Sequence, residues 1–284
     1  MKKFRILALI LALAACLSLV SCKRREGEAS RGLELTLSES GTYYTVTGMG
    51  KCRDVDVLLP KEHKGLPVAA IGERAFKGTE ITRLTLTENV LFIAENAFES
   101  CAGITYNELD GLYYLGTEKN PAYALFSVQK NSDSTFKIHK DTKILADCAL
   151  FDCDIKELVL PEGITHIGDK SFYHCTSLQA LPFPSTLVSI GTLCFAECTS
   201  LTTVRFPYGL AVIERHAFAR CSNLREAYIP SSVRTIDEEV FDQCGKATVY
   251  CRAKKPFFGV PAGWHKHWAG TDRPKAKILY NASF

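Results

Sequence analysis

Between Ile167 and Cys244 the chain repeats itself every 23 residues, and a fixed period of that length is the mark of stacked coils rather than of a compact enzyme fold. Ile167, Ile190, Ile213 and Ile236 form one column. Phe172, Phe195, Phe218 and Phe241 follow five residues later, and Cys175, Cys198, Cys221 and Cys244 three after that. Leu178, Leu201 and Leu224 continue the pattern, with Ala247 in the fourth register, and Pro184, Pro207 and Pro230 close each apolar run. The template extends upstream with small slips. Ile71 to Ile93 and Leu145 to Ile167 are units of 22 residues, each one short after Phe76 or Leu150, which marks a turn that tolerates a deletion.

Within a unit, the pattern LxxLxF of Leu178 to Phe183 places apolar residues two apart before a proline. That is the period of a strand with one buried face. The segment Ile190 to Cys198 is too short for a free helix but long enough for a helical or 3₁₀ turn pressed on a core. The expected fold is therefore an α/β repeat solenoid, with one parallel strand and one short helical or 3₁₀ return per unit of about 23 residues. No unit of this size can bury its own apolar face. The isoleucine, phenylalanine, cysteine and leucine columns must stack on their counterparts in neighbouring coils, each buried leucine or phenylalanine contributing on the order of 2–3 kcal/mol.

These units resemble the leucine-rich repeats of the BspA-like, or Treponema pallidum-type, surface protein family. The matching stretches are IGERAF at Ile71 to Phe76, AENAFESC at Ala94 to Cys101 and IERHAFARC at Ile213 to Cys221. The insertion from Tyr106 to Gln129 is similar to a hairpin module found between repeats in that family, and VYCRAKKPFFGVPAGWHKHW to its terminal strand and tryptophan-containing cap. The resemblance implies a leucine-rich repeat domain over 41–250 with a hairpin-like insertion at 106–140, followed by a C-terminal cap at 251–284. It also implies a function in protein–protein recognition. The ligands it suggests are host extracellular matrix or plasma proteins, such as fibronectin and fibrinogen, or other bacterial cells.

The chain opens on Lys2, Lys3 and Arg5 and an apolar run from Ile6 to Val20, too short to span a bilayer and ordered like a secretory signal. Leu19, Val20, Ser21 and Cys22 resemble a bacterial lipobox, which makes 1–22 a signal peptide and Cys22 the lipidated residue; an ordinary signal with an incidental cysteine is the competing reading. Residues 23–40 then serve as a charged tether and the start of an N-terminal cap. These features place the chain in the cell envelope, lipid-anchored, at the outer membrane or cell surface. Of 34 Lys and Arg against 31 Asp and Glu, the three basic residues in excess are those of the signal. The remainder is neutral, and net charge offers no case for nucleic acid.

Cysteine and histidine are where chemistry would hide. Of 12 cysteines, Cys101, Cys153, Cys175, Cys198, Cys221 and Cys244 share one repeat column, where a small apolar thiol suits a buried turn better than a disulfide does. Cys52, Cys148, Cys194 and Cys251 fall outside it, and a Cys244–Cys251 bridge stays open. The pair His265 and His267 between Trp264 and Trp268, read as one face of a strand, lacks the third and fourth ligands that zinc needs and reads as a cap. There is no GxSxG, HExxH, GxxxxGK[ST] or dinucleotide fingerprint. The chain thus offers no catalytic residue, metal ligand set or cofactor site.

What remains is the outward side of the strand wall. Alignment of the repeats puts Arg83 and Thr85, Glu157 and Val159, Ala180 and Pro182, Thr203 and Arg205, and Glu226 and Tyr228 on it. Tyrosine and arginine carry much of the energy of protein interfaces, so Arg205, Glu226 and Tyr228 are the expected ligand contacts. A solvated face is the plain alternative for each. A periplasm-facing assembly scaffold is the rival function, and an envelope enzyme would need a site built by the insertion or the cap.

Overall fold

A computed structural model describes residues 28–129, 137–254, 259–271 and 275–284. The expected signal, Cys22 and the first part of the tether lie outside the described residues. The chain winds into a parallel β-solenoid of about nine turns. Each regular coil has three walls.

The isoleucine column is itself a strand wall, in addition to the one expected from the LxxLxF segments. Ile144–Leu145, His166–Ile167, Ser189–Ile190, Val212–Ile213 and Thr235–Ile236 pair in parallel, coil upon coil. The LxxLxF segments make another wall, in which Thr203–Arg205, Glu226–Ile229, Thr248–Cys251 and Lys277–Tyr280 form a parallel four-stranded sheet. Each proline starts the turn between these walls. The amides of Leu187, Leu210 and Val233 donate to the carbonyls of Pro184, Pro207 and Pro230, as in a four-residue β-turn.

The expected helical or 3₁₀ return is corrected: among the described residues the return contains turns and no helix. The reason is a pair of left-handed residues in nearly every coil. Three residues after the isoleucine position stand Arg74, Cys148, Lys170, Leu193, His216 and Glu239, all with positive φ; four further on stand Gly78, Asp152, His174, Glu197, Arg220 and Gln243, again positive. These twists point alternate amides out of the coil. The Lys170, Phe172 and His174 amides donate to Thr192, Cys194 and Ala196 of the next coil, while the intervening Ser171, Tyr173 and Cys175 amides close i to i−3 turns. Leu193, Phe195 and Glu197 repeat the scheme on Arg215, Ala217 and Ala219. A helix would keep all these donors to itself.

Inside the walls the columns stack as the repeat requires. Ring centroids of Phe172 and Phe195 are 4.9 Å apart, those of Phe195 and Phe218 5.0 Å and those of Phe218 and Phe241 5.7 Å, all near parallel. The cysteine column runs beside them. Sγ of Cys198, Cys221 and Cys244 donates to the carbonyl of Phe172, Phe195 and Phe218, each at 3.1 Å. The ten cysteines among the described residues are free, Cys244 and Cys251 included.

The shortened unit beginning at Leu145 shows how a residue is lost. In full units the Leu178 and Leu201 amides reach back three residues to Cys175 and Cys198, whereas Ile155 reaches back only two, to Cys153 at 2.9 Å. The insertion is a three-stranded meander, Asn107–Leu109, Leu112–Thr117 and Ala124–Val128, with both contacts antiparallel. Its central strand also pairs in parallel with Arg83–Leu86, and its last with Ile144–Leu145. Leu112, Tyr114 and Leu125 pack into the C-terminal core, and Leu115, Tyr123 and Ala124 into the N-terminal one. The insertion is thus a partition shared by two cores. At the N-terminal end Glu34–Leu37 pairs antiparallel with Tyr44–Gly48, which runs parallel to Leu66–Ile71.

Candidate functional site

Because side chains alternate across a strand, the four-stranded sheet buries Val204, Ala227, Ile229, Val249 and Cys251 and turns the residues between them outward. Parallel register aligns those outward residues in rows: Arg205 faces Tyr228, Tyr228 faces Tyr250, and Thr203 faces Glu226. The three expected contact residues are thereby brought together. The Arg205 guanidinium lies 3.8 Å from the centre of the Tyr228 ring, a cation–π contact. The Tyr228 hydroxyl donates to Glu226 Oε2 at 3.0 Å. Tyr228 stacks on Tyr250 at 4.8 Å, and Phe284 meets it nearly edge-on at 5.2 Å.

Sequence reasoning missed four residues of this cluster, Tyr208, Tyr250, Arg252 and Phe284. Arg252 sits 5.1 Å from the ring of Tyr208 and 4.8 Å from that of Phe284, so a second arginine is held by aromatic rings beside the first. Tyr208, 61% exposed, lies just past the proline of its coil. Tyr250 could have been found, since it falls 22 residues after Tyr228 in an apolar alternation that ends at Cys251. Phe284 and Tyr208 carry no periodic signal. Rings braced by neighbours lose little conformational freedom on binding, and an aromatic and arginine surface of this kind suits contact with another protein.

The remaining outward positions are spread along the solenoid. Arg83 is paired with Asp56, and Thr85 lines an open pocket with Asn107 and Glu118 beside the insertion. Glu157 forms an isolated bridge with Ala180, Val159 is 76% exposed, and Pro182 is exposed. They do not join the aromatic cluster.

The cysteines are arranged against reactivity. Burial pushes the thiols of Cys198 and Cys251 up to about 12. Cys148 is also pushed to about 12, first by burial and then by Glu95, whose carboxylate accepts its Sγ bond at 3.1 Å. A thiolate is the nucleophile and metal ligand, and these groups stay protonated. The histidine pair behaves differently from its sequence reading. His265 and His267 lie on a turn rather than a strand, and Glu238 of the last coil joins them: one ligand atom from each of the three lies within 4.8 Å of the others.

Comparison with known proteins gives this geometry a context. A family model described as BspA type leucine-rich repeat region matches residues 63–118 and 123–248, in six copies. Among solved structures, a leucine-rich cell surface protein from Faecalibacterium prausnitzii A2-165 is 25% identical, with a TM-score of 0.52 over 70% of this chain. The pneumococcal vaccine antigen PcpA is 17% identical, with a TM-score of 0.53 over 79% of this chain. This chain spans 60% and 62% of those two proteins. No curated protein sequence matches.

Proposed function

The chain belongs to the BspA-type leucine-rich repeat family, and from that premise we propose that it is a bacterial cell-envelope module whose solenoid recognises other proteins without chemistry of its own. One observation carries the reading: the C-terminal sheet displays Arg205, Tyr228, Tyr250 and Arg252 as a braced aromatic and cationic face. Repeat solenoids of this kind serve as extended binding surfaces. We assign the contacts to Arg205, Glu226 and Tyr228, and the ligand class to extracellular proteins of a host or of neighbouring cells. The surface placement draws on the F. prausnitzii relative, a cell surface protein, and on the lipobox-like LVSC ending at Cys22. With several acyl chains on Cys22 the anchor would be stable. Among the described residues no helix is long and apolar enough to cross a membrane.

Protease treatment of intact cells, with a periplasmic protein as leakage control, tests the placement. Loss of the repeat domain is expected; protection that ends on lysis would overturn it in favour of an internal scaffold. Metabolic labelling with a fatty-acid analogue should mark the parent and not Cys22→Ser. For a ligand found by screening host and bacterial surface proteins, the triple variant Arg205→Ala, Glu226→Ala, Tyr228→Ala should bind at least tenfold more weakly. Full affinity in that variant would remove the site assignment while leaving the placement standing.

A further inference from the structure

We propose that Glu238, His265 and His267 form a binding site for a single zinc-class divalent cation, placed where the last coil meets the cap. The donors come from two segments, Glu238 from the last coil and both histidines from the cap turn, and are held together by backbone bonds. The His265 amide donates to the Ile236 carbonyl at 2.7 Å, the Glu239 amide to the His267 carbonyl at 3.0 Å, and the Val240 amide to the Trp268 carbonyl at 2.7 Å. These bonds flank both histidines and bracket Glu238. The turn is held further by its tryptophans, which are buried against each other with centroids 5.0 Å apart, and Trp264 Nε1 donates to the Val233 carbonyl at 3.3 Å.

Two imidazoles and one carboxylate suit a borderline cation such as Zn²⁺, which takes nitrogen and oxygen donors at about 2.0–2.1 Å and accepts three protein ligands with water as the fourth. The donor atoms lie within 4.8 Å of one another, so closing on an ion asks no pair to approach by more than about 1.5 Å. Side-chain rotation supplies that, because His267 is exposed and Glu238 and His265 are half-buried. Arg215 Nη2 lies 3.4 Å from Glu238 Oε2; it orients the carboxylate from the preceding coil, as outer groups do at metal sites. An ion bound here joins one ligand of the coil to two of the cap, so it resists separation of the two.

The test uses the full chain, stripped with EDTA and titrated with ZnCl₂ by calorimetry and with Co²⁺ by absorption. One ion per chain is expected, with a rise in Tm reversed by EDTA and no sulfur-to-cobalt charge-transfer band. His267→Ala and Glu238→Gln should each weaken binding at least tenfold, while Lys266→Ala leaves it intact. Melting of each variant in EDTA shows whether it folds; should His267→Ala fail to, Glu238→Gln decides the matter. The proposal is overturned by absence of saturable binding, by unchanged affinity in Glu238→Gln, or by a thiolate band that assigns the ion to cysteine.

Discussion

The two halves of the solenoid use the same columns but pack them differently. From Ile167 onward the phenylalanines form an unbroken near-parallel stack that ends against Trp268 edge-on at 6.1 Å. Before the insertion the stack is a single pair, Phe76 and Phe98 at 5.5 Å, which Phe126 of the insertion then meets at 77°. The thiols diverge likewise: Cys198 has one short bond to a coil carbonyl at 3.1 Å, whereas Cys101 is spread over Thr79 and Ile81 at 3.3–3.7 Å. A strict period thus yields one repeated contact, and a slipped period is stabilised by contacts found only once. The seam between the halves is the Leu145 coil, whose Asp147 amide donates to Ile93 across the looped-out insertion.

Truncating the stacks should separate the halves most. Phe195→Ala is expected to cost ~4–5 kcal/mol and Phe98→Ala about 3, because the irregular rings around Phe98 can close on the space; equal losses in denaturant titration would break the comparison. Glycine comes next. A Cβ at Gly191 would lie 2.5 Å from Asp169 Oδ1 and 2.8 Å from its amide nitrogen, while one at Gly72 meets Thr45 Cγ2 at 3.1 Å. Gly191→Ala should cost roughly 1–3 kcal/mol and Gly72→Ala under about 1, read from the same curves. Cys198→Ala, which removes one of the two donors to the Phe172 carbonyl and leaves the Cys175 amide, should cost ~1 kcal/mol, more than Cys101→Ala.

The smallest effect is pH-dependent and belongs to the seam. Burial, then the neighbouring Asp169 charge, raises Asp147 to about 7 from 3.8. The folded state therefore holds a proton the unfolded chain releases, and the stability this contributes is complete below 3.8 and lost as pH rises through about 7. Asp147→Asn, which keeps an acceptor for the Asp169 amide, should gain on the order of 1 kcal/mol at pH 8 and nothing at pH 4. His166 acts in the opposite sense. Its burial lowers it to about 4 from 6.5, so stability is lost as pH falls through that window. Melting from pH 4 to pH 8 with both parent and Asp147→Asn resolves the two.

The apolar columns were legible because burial recurs with the coil: Ile190, Phe195, Cys198 and Leu201 are all buried. The return wall was not. Its left-handed positions are held by lysine, leucine, glutamate and arginine, and Gly78 alone carries the usual glycine sign of positive φ in that column. Tertiary hydrogen bonds between coils, invisible to local pattern, override local preference there. The Ile–Gly step had a visible form and a hidden cause. Asp147 and Asp169 lay their carboxylates over Gly168 and Gly191 and accept from the Asp169 and Thr192 amides at 2.8 and 2.7 Å. Where Thr192 replaces the aspartate, the glycine gives way to Glu214. Arg205, Glu226 and Tyr228 could be placed on one face by alternation, but Phe284, which meets Tyr228, and Tyr208, which faces Arg252, could not. Glu238 was beyond reach for the same reason, since only the fold brings it to His265 and His267.

The hydrogen bonding of the return wall runs one way, from each coil to its successor. Lys170, Phe172 and His174 donate forward, as do Leu193, Phe195 and Glu197, then His216, Phe218 and Arg220; in the last coil Glu239 and Val240 donate to His267 and Trp268 of the cap. In the folded chain the outward amides of a coil are therefore satisfied by its successor and not by the coil itself. The carbonyls of the cap close that series, so among the described residues the wall carries no row of outward donors at its C-terminal end to template another chain.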